Sequence, residues 1–346
     1  MRKPIGGCRV VYEYANRLSE RGHVIHIVHP FLLYPEEASI EEKLKMVARL
    51  MLDRLLCYPK LRWFNISPKV NMLISSSLEE KNIPRGDVII ATAWQTAEWV
   101  NGYSRDKGEK FYLIQHYENW SGPEERVKAT WKMPLKKIVI AKWLAEKAKE
   151  MGEEVVAYIP NGLDFEQFRI TIPMEKRNPK RIGMLYHRLD WKGSEDGIEA
   201  LRMVRDQFPD LEVVFFSTYS PVSSVPDWVE FHKNPSPNKL LEIYNSCAIF
   251  LSPSWNEGWP LPPAEAMTCG CALVSTDNGG IREYAEHEVN ALLSPPKDSP
   301  ALAQNILRLL GDDDLRVRLA MVGYRQIQKF TWDKAVEKFE EELGAK

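Results

Sequence analysis

Residues 247–270 read CAIFLSPSWNEGWPLPPAEAMTCG, an apolar run followed by a polar loop and then by a helical pattern. The run at 247–253 is continuous rather than alternating, which is typical of a strand whose sheet is covered by helices on both faces. Pro262 and Pro263 favour a helix start just after the loop. Strand, loop and helix in this order form the repeating unit of a parallel, doubly wound α/β sheet.

The same unit recurs along almost the whole chain, because short apolar runs alternate with longer helical patterns. The strand-like runs are 24–30, 87–93, 111–117, 137–141, 155–160, 181–185, 211–217, 247–253, 272–276 and 291–294. Ten runs are too many for one compact nucleotide-binding fold, and 346 residues suit two domains of roughly 150–170 residues each. We therefore expect two Rossmann-like domains with five of these strands apiece.

The domain boundary is predicted just past residues 160–164, PNGLD, because proline, asparagine and glycine in succession interrupt regular structure. We expect an N-terminal domain at 1–165, a C-terminal domain at 166–330 and a last helix at 331–346 that packs back towards the first domain. Residues 170–179 are expected to form a linker. Ile5, Gly6 and Gly7 precede a helical pattern with only four residues before them, so the first strand of the N-terminal domain is expected to be missing.

Composition limits the class of protein. Apolar residues make up 44% and charged residues 27%, the balance of a globular protein. The net charge is −2, so the chain lacks the overall positive charge that would favour nucleic-acid binding. No signal peptide is apparent and no apolar run approaches the about 20 residues that cross a bilayer. The five cysteines form no Cys-x-x-Cys pair, which favours buried thiols in a cytoplasmic protein.

Two glutamates follow the strand at 247–253. Glu257 lies in the loop, and Glu265 lies eight residues later in the opening turns of the helix. A helix N-terminus attracts phosphate, and carboxylates beside such a site suit a ligand that also carries hydroxyl groups, as a ribose and a sugar do. If either glutamate is considered by itself, the alternative is that the segment is a surface loop and that the glutamate only favours the start of a helix.

Residues 185–193, LYHRLDWKG, follow the first strand of the second half. Arg188 and Lys192 leave that strand end together and could bracket a diphosphate, with arginine as a fork and lysine as a point charge. An ordinary solvated turn is the alternative for this segment by itself.

These motifs together resemble the retaining glycosyltransferases of the GT-B fold, the "glycosyl transferases group 1" family. The resemblance rests on the E-x7-E pair, the RL…KG loop, PNGLDFEQF at 160–168, IGG with YEYANRLSERGH at 12–23, and YNSCAIFLSPSWNEG at 244–258. It extends from Ile5 to about residue 335 and is nearest to branches that build surface polysaccharides and rhamnose-containing glycans. It implies two Rossmann-like doubly wound domains that face a cleft.

The resemblance also implies roles for individual residues. Glu265 would hold the ribose hydroxyls of a nucleotide donor, and Glu257 would contact hydroxyls of the transferred sugar. Arg188 and Lys192 would neutralise the diphosphate in place of a divalent metal. The remaining residues implied are the diphosphate-facing pair Gly6 and Gly7, the sugar-contacting His116, and the donor-binding Gly258, Trp259 and Leu261.

Two residues of the loops depart from the family's pattern. The family commonly spaces its arginine and lysine one residue further apart than Arg188 and Lys192, and Pro260 stands where glycine is common. Pro260 also removes one backbone donor near the phosphate site.

The expected function is a retaining, metal-independent transfer of a sugar from a nucleotide diphosphate sugar to a glycan or lipid-linked acceptor in cell-surface polysaccharide synthesis, with no cofactor. A nucleotide-sugar epimerase or a glycan phosphorylase of the same architecture is one alternative. A non-catalytic partner subunit that keeps a nucleotide site is another.

Two further segments have a structural and a functional interpretation. Residues 40–56 have an apolar helical face that predicts a packed amphipathic helix or, alternatively, a peripheral contact with the inner face of a membrane. Asp312, Asp313 and Asp314 resemble a metal-binding cluster, but their place between helical patterns favours a helix start.

Overall fold

The computed structural model describes residues 6–30, 33, 39, 41, 44, 45, 48 and 63–344. The chain divides into two compact units. Unit 1 consists of Met1–Ile140, Leu144–Ile159 and Val336–Lys346, and unit 2 of Ala141–Trp143 and Pro160–Ala335.

Unit 1 begins with α1, Gly6–Glu20. Val10, Tyr14 and Leu18 recur every four residues on its buried face, the spacing that an amphipathic helix requires. Its strands are β1 His26–Pro30, β2 Asn71–Ser75, β3 Val88–Ala91, β4 Glu109–Ile114, β5 Lys136–Val139 and β6 Ala157–Tyr158. The helices that follow β3, β4 and β5 are α2 Trp94–Gly102, α3 Glu124–Trp131 and α4 Lys142–Glu150.

The strands of unit 1 form two parallel sheets. One pairs β1 with β2, and the other has the order β3-β4-β5-β6. Strand β4 lies inside the larger sheet, and the last four of its six residues, Phe111–Ile114, are all buried. Such complete burial explains why this strand is a continuous apolar run in the sequence.

Unit 2 contains one parallel sheet of six strands in the order β12-β11-β10-β7-β8-β9. These strands are β7 Arg181–Leu185, β8 Glu212–Ser217, β9 Val229–Lys233, β10 Ile249–Ser252, β11 Ala272–Thr276 and β12 Ala291–Ser294. Its helices are α5 Ser194–Gln207, α6 Pro237–Ser246, α7 Leu261–Thr268, α8 Ser299–Gly311 and α9 Asp313–Ile327. One apolar core joins strand residues such as Met184, Phe215 and Leu251 to the helices, including Leu201 and Ile306.

Helix α10, Trp332–Leu343, follows α9, and its residues from Val336 onward belong to unit 1. There the Phe339 ring stacks on the Tyr14 ring at 4.3 Å between centroids. The Glu340 carboxylate accepts from His23 at 2.8 Å and from Arg21 at 3.0 Å. Apolar stacking and paired charges thus hold this segment within unit 1.

Each of the ten predicted apolar runs overlaps a strand, and all of the strand pairs described are parallel, so the predicted α/β class is confirmed. The expectation of five strands in each domain is wrong, because the described residues of each unit form six. The two missed strands are β2, which is mostly half-exposed, and β9, which lies at the edge of its sheet with charged and half-exposed positions, so neither is a continuous apolar run.

The expectation of a linker at 170–179 is also wrong. Met174 belongs to the core of unit 2, and the Arg177 side chain is buried. The Arg177 guanidinium donates to the carbonyl oxygens of Ile172, Cys247 and Cys269, which compensates for its removal from water. The segment therefore lies within unit 2 and is anchored there by Met174 and Arg177, rather than connecting two domains.

The acidic run and the cysteines agree with the structural interpretation. Asp312 caps α9, since its side chain accepts from the Leu315 N–H at 2.8 Å. Cys247, Cys269 and Cys271 are buried free thiols. Residues 1–5, where a strand before α1 would lie, and most of the predicted helix at 40–56 are outside the described residues, so both expectations stay predictions.

Candidate functional site

Three loops of unit 2 lie at one edge of its sheet. They follow β7, β10 and β11, which are neighbours in the sheet and run parallel. Parallel strands bring their carboxyl ends to the same edge, where doubly wound folds place their ligands. The loops, called here the first, second and third site loops, are residues 186–193, 253–260 and 277–280.

Backbone contacts fix the first site loop against the second. Gly193 has φ +63°, and a Cβ atom there would lie 2.1 Å from the Pro253 carbonyl oxygen. Glycine is therefore required both by conformation and by space. The Trp255 N–H donates to the Trp191 carbonyl oxygen at 2.8 Å, which ties the two loops together next to Lys192.

The third site loop holds the backbone of Glu257 from the other side. The Glu257 N–H donates to the Asn278 carbonyl at 3.0 Å, and the Gly280 N–H donates to the Glu257 carbonyl at 3.1 Å. A Cβ atom at Gly280 would lie 2.6 Å from the Glu257 carbonyl oxygen and 2.5 Å from that of Gly258. Glu257 and Gly258 thus have a backbone position that depends on a glycine in the neighbouring loop.

Lys192 and Glu257 meet at the centre of these loops. The Lys192 Nζ atom lies 2.7 Å from a Glu257 carboxylate oxygen, and the two side chains are 20% and 12% exposed. Lys192 Nζ also lies 4.1 Å from the centre of the Trp191 ring. Because water is largely excluded, charge interactions at this pair are stronger than those of surface ion pairs. The pair offers one cation and one carboxylate acceptor to a ligand.

Arg188 belongs to the same loop but points elsewhere. Its guanidinium lies 5.6 Å from the centre of the Tyr219 ring and donates to the Ser220 carbonyl at 3.1 Å. Tyr219 and Ser220 follow β8, on the side of β7 away from Glu257. The structure therefore brings Lys192 to Glu257 and directs Arg188 towards the loop after β8.

Glu265 is buried in α7, with 3% exposure, and its carboxylate accepts from the Tyr244 hydroxyl at 2.9 Å. Helix α7 begins at Leu261 with Pro262 at its second position, as predicted from the proline pair. The Tyr284 hydroxyl donates to the Pro260 carbonyl just before this helix. The start of α7 is thus fixed from a neighbouring segment.

Tyr284 lies close enough to both glutamates for their charges to act on its hydroxyl group. Burial raises the pKa of its hydroxyl well above the ordinary value, and the negative charges of Glu257 and Glu265 act in the same direction. The Trp259 ring packs against Tyr284 at 4.8 Å and against Phe330 at 5.5 Å between centroids. Trp259 thus links the second site loop to an aromatic cluster that includes Tyr284 and Phe330, which follows α9.

The residues implied in unit 1 lie near the carboxyl end of β4. The Gln115 side chain donates to the Gly7 carbonyl at 3.2 Å, so the start of α1 lies beside this strand end. A Cβ atom at Gly6 would have nothing within 4 Å. His116 is 9% exposed, with its ring edge-on to Trp120 at 4.3 Å.

Three further residues at these strand ends were not predicted. Burial raises the pKa of Glu118 to about 7, and its carboxylate accepts from the Trp94 N–H at the start of α2. The buried Asn278 accepts from the Ile281 N–H through its side-chain oxygen. His187 lies two residues after the end of β7. Their common signal is a polar side chain within four residues after an apolar strand.

In the part of the chain that the structure describes, no three His, Cys, Asp or Glu side chains are grouped so as to hold a metal ion. Among the described helices, none combines the length and the apolar character that a bilayer crossing requires.

Comparison with known proteins gives a family match within unit 2. Residues 169–326 match the model of the family described as "Glycosyl transferases group 1". The D-inositol 3-phosphate glycosyltransferase of Corynebacterium urealyticum is 23% identical over 222 residues, which are 57% of this chain and 52% of that protein. A Campylobacter jejuni enzyme, N,N'-diacetylbacillosaminyl-diphospho-undecaprenol alpha-1,3-N-acetylgalactosaminyltransferase, is 26% identical over 176 residues, 50% of this chain and 46% of that protein. The chain thus spans about half the length of these curated relatives.

A solved structure extends the likeness to the whole chain. HepE of Anabaena, solved in complex with UDP-glucose, matches with a TM-score of 0.73 and 16% identity over 100% of this chain and 98% of that one. At this identity the likeness shows the fold, which confirms the predicted GT-B class. Residues 169–326 thus match the glycosyl transferases group 1 family, and the likeness in fold extends over both units.

Proposed function

We propose that this chain is a retaining, metal-independent glycosyltransferase. It transfers a sugar from a nucleoside diphosphate sugar to a hydroxyl group of a glycan or lipid-linked acceptor in the synthesis of a surface polysaccharide. The acceptor hydroxyl forms a bond with the anomeric carbon, the bond from that carbon to the phosphate oxygen breaks, and the hydroxyl proton passes to the departing phosphate.

The observation that carries the proposal is the shielded Lys192–Glu257 pair at the carboxyl ends of β7 and β10. A lysine that is 20% exposed and held at 2.7 Å by a carboxylate is already oriented before a ligand arrives. The leaving diphosphate gains negative charge in the transition state, and an oriented cation then stabilises it more than it stabilises the substrate. Glu257 remains available to accept from hydroxyl groups of the transferred sugar.

Other observations support the choice of substrates. HepE, which shares the fold, was solved with UDP-glucose, and the Campylobacter relative is named for a diphospho-undecaprenol acceptor. A charged lysine at the diphosphate position supplies the positive charge for which other transferases use a metal. We propose that the chain acts in the cytoplasm, peripherally at the membrane where it uses a lipid-linked acceptor.

Donor consumption and nucleotide binding test the proposal. Lys192→Ala should weaken nucleoside diphosphate binding by about ten- to a hundredfold, since a hydrogen bond to a charged group is lost, and should lower turnover further. Lys180→Ala is the matched control, because Lys180 also forms an ion pair, with Asp210, but precedes β7 at the other end of the strand. Calorimetry with a panel of nucleoside diphosphates, beside initial rates with their sugar conjugates, measures both effects.

The same assay tests the finer parts of the proposal. Activity should persist in excess chelator, and the new glycosidic bond should keep the anomeric configuration of the donor, which proton NMR reports. Loss of activity that magnesium or manganese restores would contradict the metal-free mechanism. Donor consumption without acceptor would favour an epimerase, and binding without turnover would favour a partner subunit.

A further inference from the structure

His187 stands at the carboxyl end of β7, directly before Arg188, and has no role in the assignments above. Its ring is half-buried and contacts the Tyr219 ring edge-on, at 4.9 Å between centroids and 78° between planes. Its backbone N–H donates to the Ser194 hydroxyl at 2.8 Å, at the start of α5. Both the backbone and the ring of His187 are therefore held in place.

One ring nitrogen of His187 is already engaged. The Leu189 N–H lies 3.1 Å from Nδ1. A backbone N–H can only donate, so Nδ1 accepts, and the proton of the neutral imidazole must be on Nε2. No other described residue forms a hydrogen bond with Nε2. The loop thus fixes one tautomer and leaves a single N–H donor for a ligand.

The ring stays neutral because of its surroundings. Burial and, to a smaller extent, the positive charge of Lys192 lower the pKa of His187 to about 4, although Glu257 acts in the opposite direction. The same interactions show that His187 lies within electrostatic range of both members of the Lys192–Glu257 pair. At neutral pH the site therefore contains a cation, a carboxylate and a neutral N–H donor.

A neutral N–H donor beside a lysine is suited to an anionic oxygen. The lysine compensates the ligand's charge, while the imidazole adds direction, because its N–H bond lies in the plane of a ring that Tyr219 and the Leu189 N–H hold fixed. Hydroxyl groups of a sugar already have an acceptor in Glu257. The oxygen that best suits His187 is therefore that of a phosphate.

We propose that His187 Nε2 donates a hydrogen bond to a phosphate oxygen of the nucleoside diphosphate, next to Lys192. This inference rests on the proposed function and adds a ligand-contacting residue to it. It distinguishes His187 from a residue that only stabilises the loop through Nδ1.

Two substitutions separate these roles. Glutamine can place its amide N–H₂ near the position of Nε2, and asparagine can place its carbonyl oxygen near that of Nδ1. His187→Gln should keep the affinity for nucleoside diphosphate within about threefold of wild type. His187→Asn keeps the acceptor for Leu189 and should weaken binding about tenfold, as expected when a hydrogen bond to a charged group is lost.

A second histidine of unit 2 gives the matched control. His287 Nδ1 also accepts from a backbone N–H, that of Leu293 at 2.9 Å, but it precedes β12 at the opposite edge of the sheet. His287→Asn should leave nucleotide affinity unchanged. Calorimetry with uridine, adenosine, guanosine, cytidine and thymidine diphosphates first selects the tightest ligand of the wild type, and thermal melting confirms that each variant folds.

The outcomes are distinct. Weakened binding in His187→Asn with near-wild-type binding in His187→Gln supports the inference. Wild-type affinity in His187→Asn, or equal affinity in the two His187 variants, overturns it while the proposed function stands. Absence of binding to every diphosphate by the wild-type chain overturns the proposed function itself, and the inference with it.

Discussion

Glu265 shows how one buried side chain can have two competing roles. Its carboxylate accepts from the Tyr244 hydroxyl and is almost closed to water. Both features are also expected of a carboxylate with a purely structural role. The family resemblance instead assigns it to the ribose of the donor. A carboxylate has two oxygens and can accept several hydrogen bonds, so accepting from Tyr244 does not by itself exclude accepting from a ribose hydroxyl.

A double-substitution cycle decides between these roles. If Glu265 accepts from the ribose, Glu265→Gln and removal of the ribose hydroxyls should each weaken binding by about tenfold, but both together should cost little more than either. Calorimetry with a nucleoside diphosphate and its 2′,3′-dideoxy analogue measures the coupling. Additive losses would mean that Glu265 is only the acceptor for Tyr244.

Two variants complete that experiment. Tyr244→Phe removes the structural hydrogen bond and should lower the melting temperature without affecting the coupling to the ribose. Glu257→Gln should leave diphosphate affinity within about threefold and weaken only the sugar-bearing donor. Equal loss of diphosphate affinity in Glu257→Gln and Glu265→Gln would show that the two carboxylates have been assigned the wrong roles.

At the scale of strands and helices, the sequence predicts what burial dictates. The interior strands β10 and β11 are buried along their whole length, so a continuous apolar run is enough to find them. In β9 apolar and polar residues alternate, and β2 is half-exposed, so neither strand is a continuous apolar run in the sequence.

Lys192 and Glu257 were predictable as neighbours in one region because both follow strand ends. The direction of Arg188 was not, because it depends on Tyr219, thirty-one positions away in sequence.

The start of α2 gives a prediction about pH. Burial raises the pKa of Glu118 from an ordinary 4.5 to about 7, so folding favours the protonated carboxyl. Its contribution to stability is fully present below pH 4.5 and is lost as pH rises through 7. Glu118→Gln cannot ionise and still offers an oxygen to the Trp94 N–H. The variant should therefore melt several degrees above wild type at pH 8, since a pKa difference of about 2.5 units corresponds to at most about 3 kcal/mol, and level with it at pH 4.5.

Glu125→Gln is the control for that measurement, since Glu125 lies in the first turn of the nearby α3 with a side chain that is 87% exposed. Its melting temperature should follow that of wild type across the same pH range. A Glu118→Gln variant that is less stable than wild type at pH 8 would mean that the ionised carboxylate stabilises α2 through the helix dipole more than burial disfavours it.

At the scale of the whole molecule, all the residues proposed to contact the nucleotide through their side chains belong to one of the two units. Lys192, Glu257, Glu265 and His187 all belong to unit 2, as do the three site loops that hold them. Unit 2 also contains the residues that match the family model. A ligand that binds the folded state suppresses the local opening of the segments it contacts. Binding of a free nucleoside diphosphate should therefore suppress local opening mainly in unit 2.

Hydrogen exchange with and without a nucleoside diphosphate tests this assignment. We expect slower exchange at the amides of the three site loops and little change in β3 and β5 of unit 1. The protection should disappear in Lys192→Ala, because the cation that holds the diphosphate is lost. The same measurement follows the first amides of α1, where slower exchange would support the role that the family resemblance implies for Gly6 and Gly7. Protection confined to unit 1 would contradict the whole assignment, since no contact with Lys192 or Glu257 would explain it.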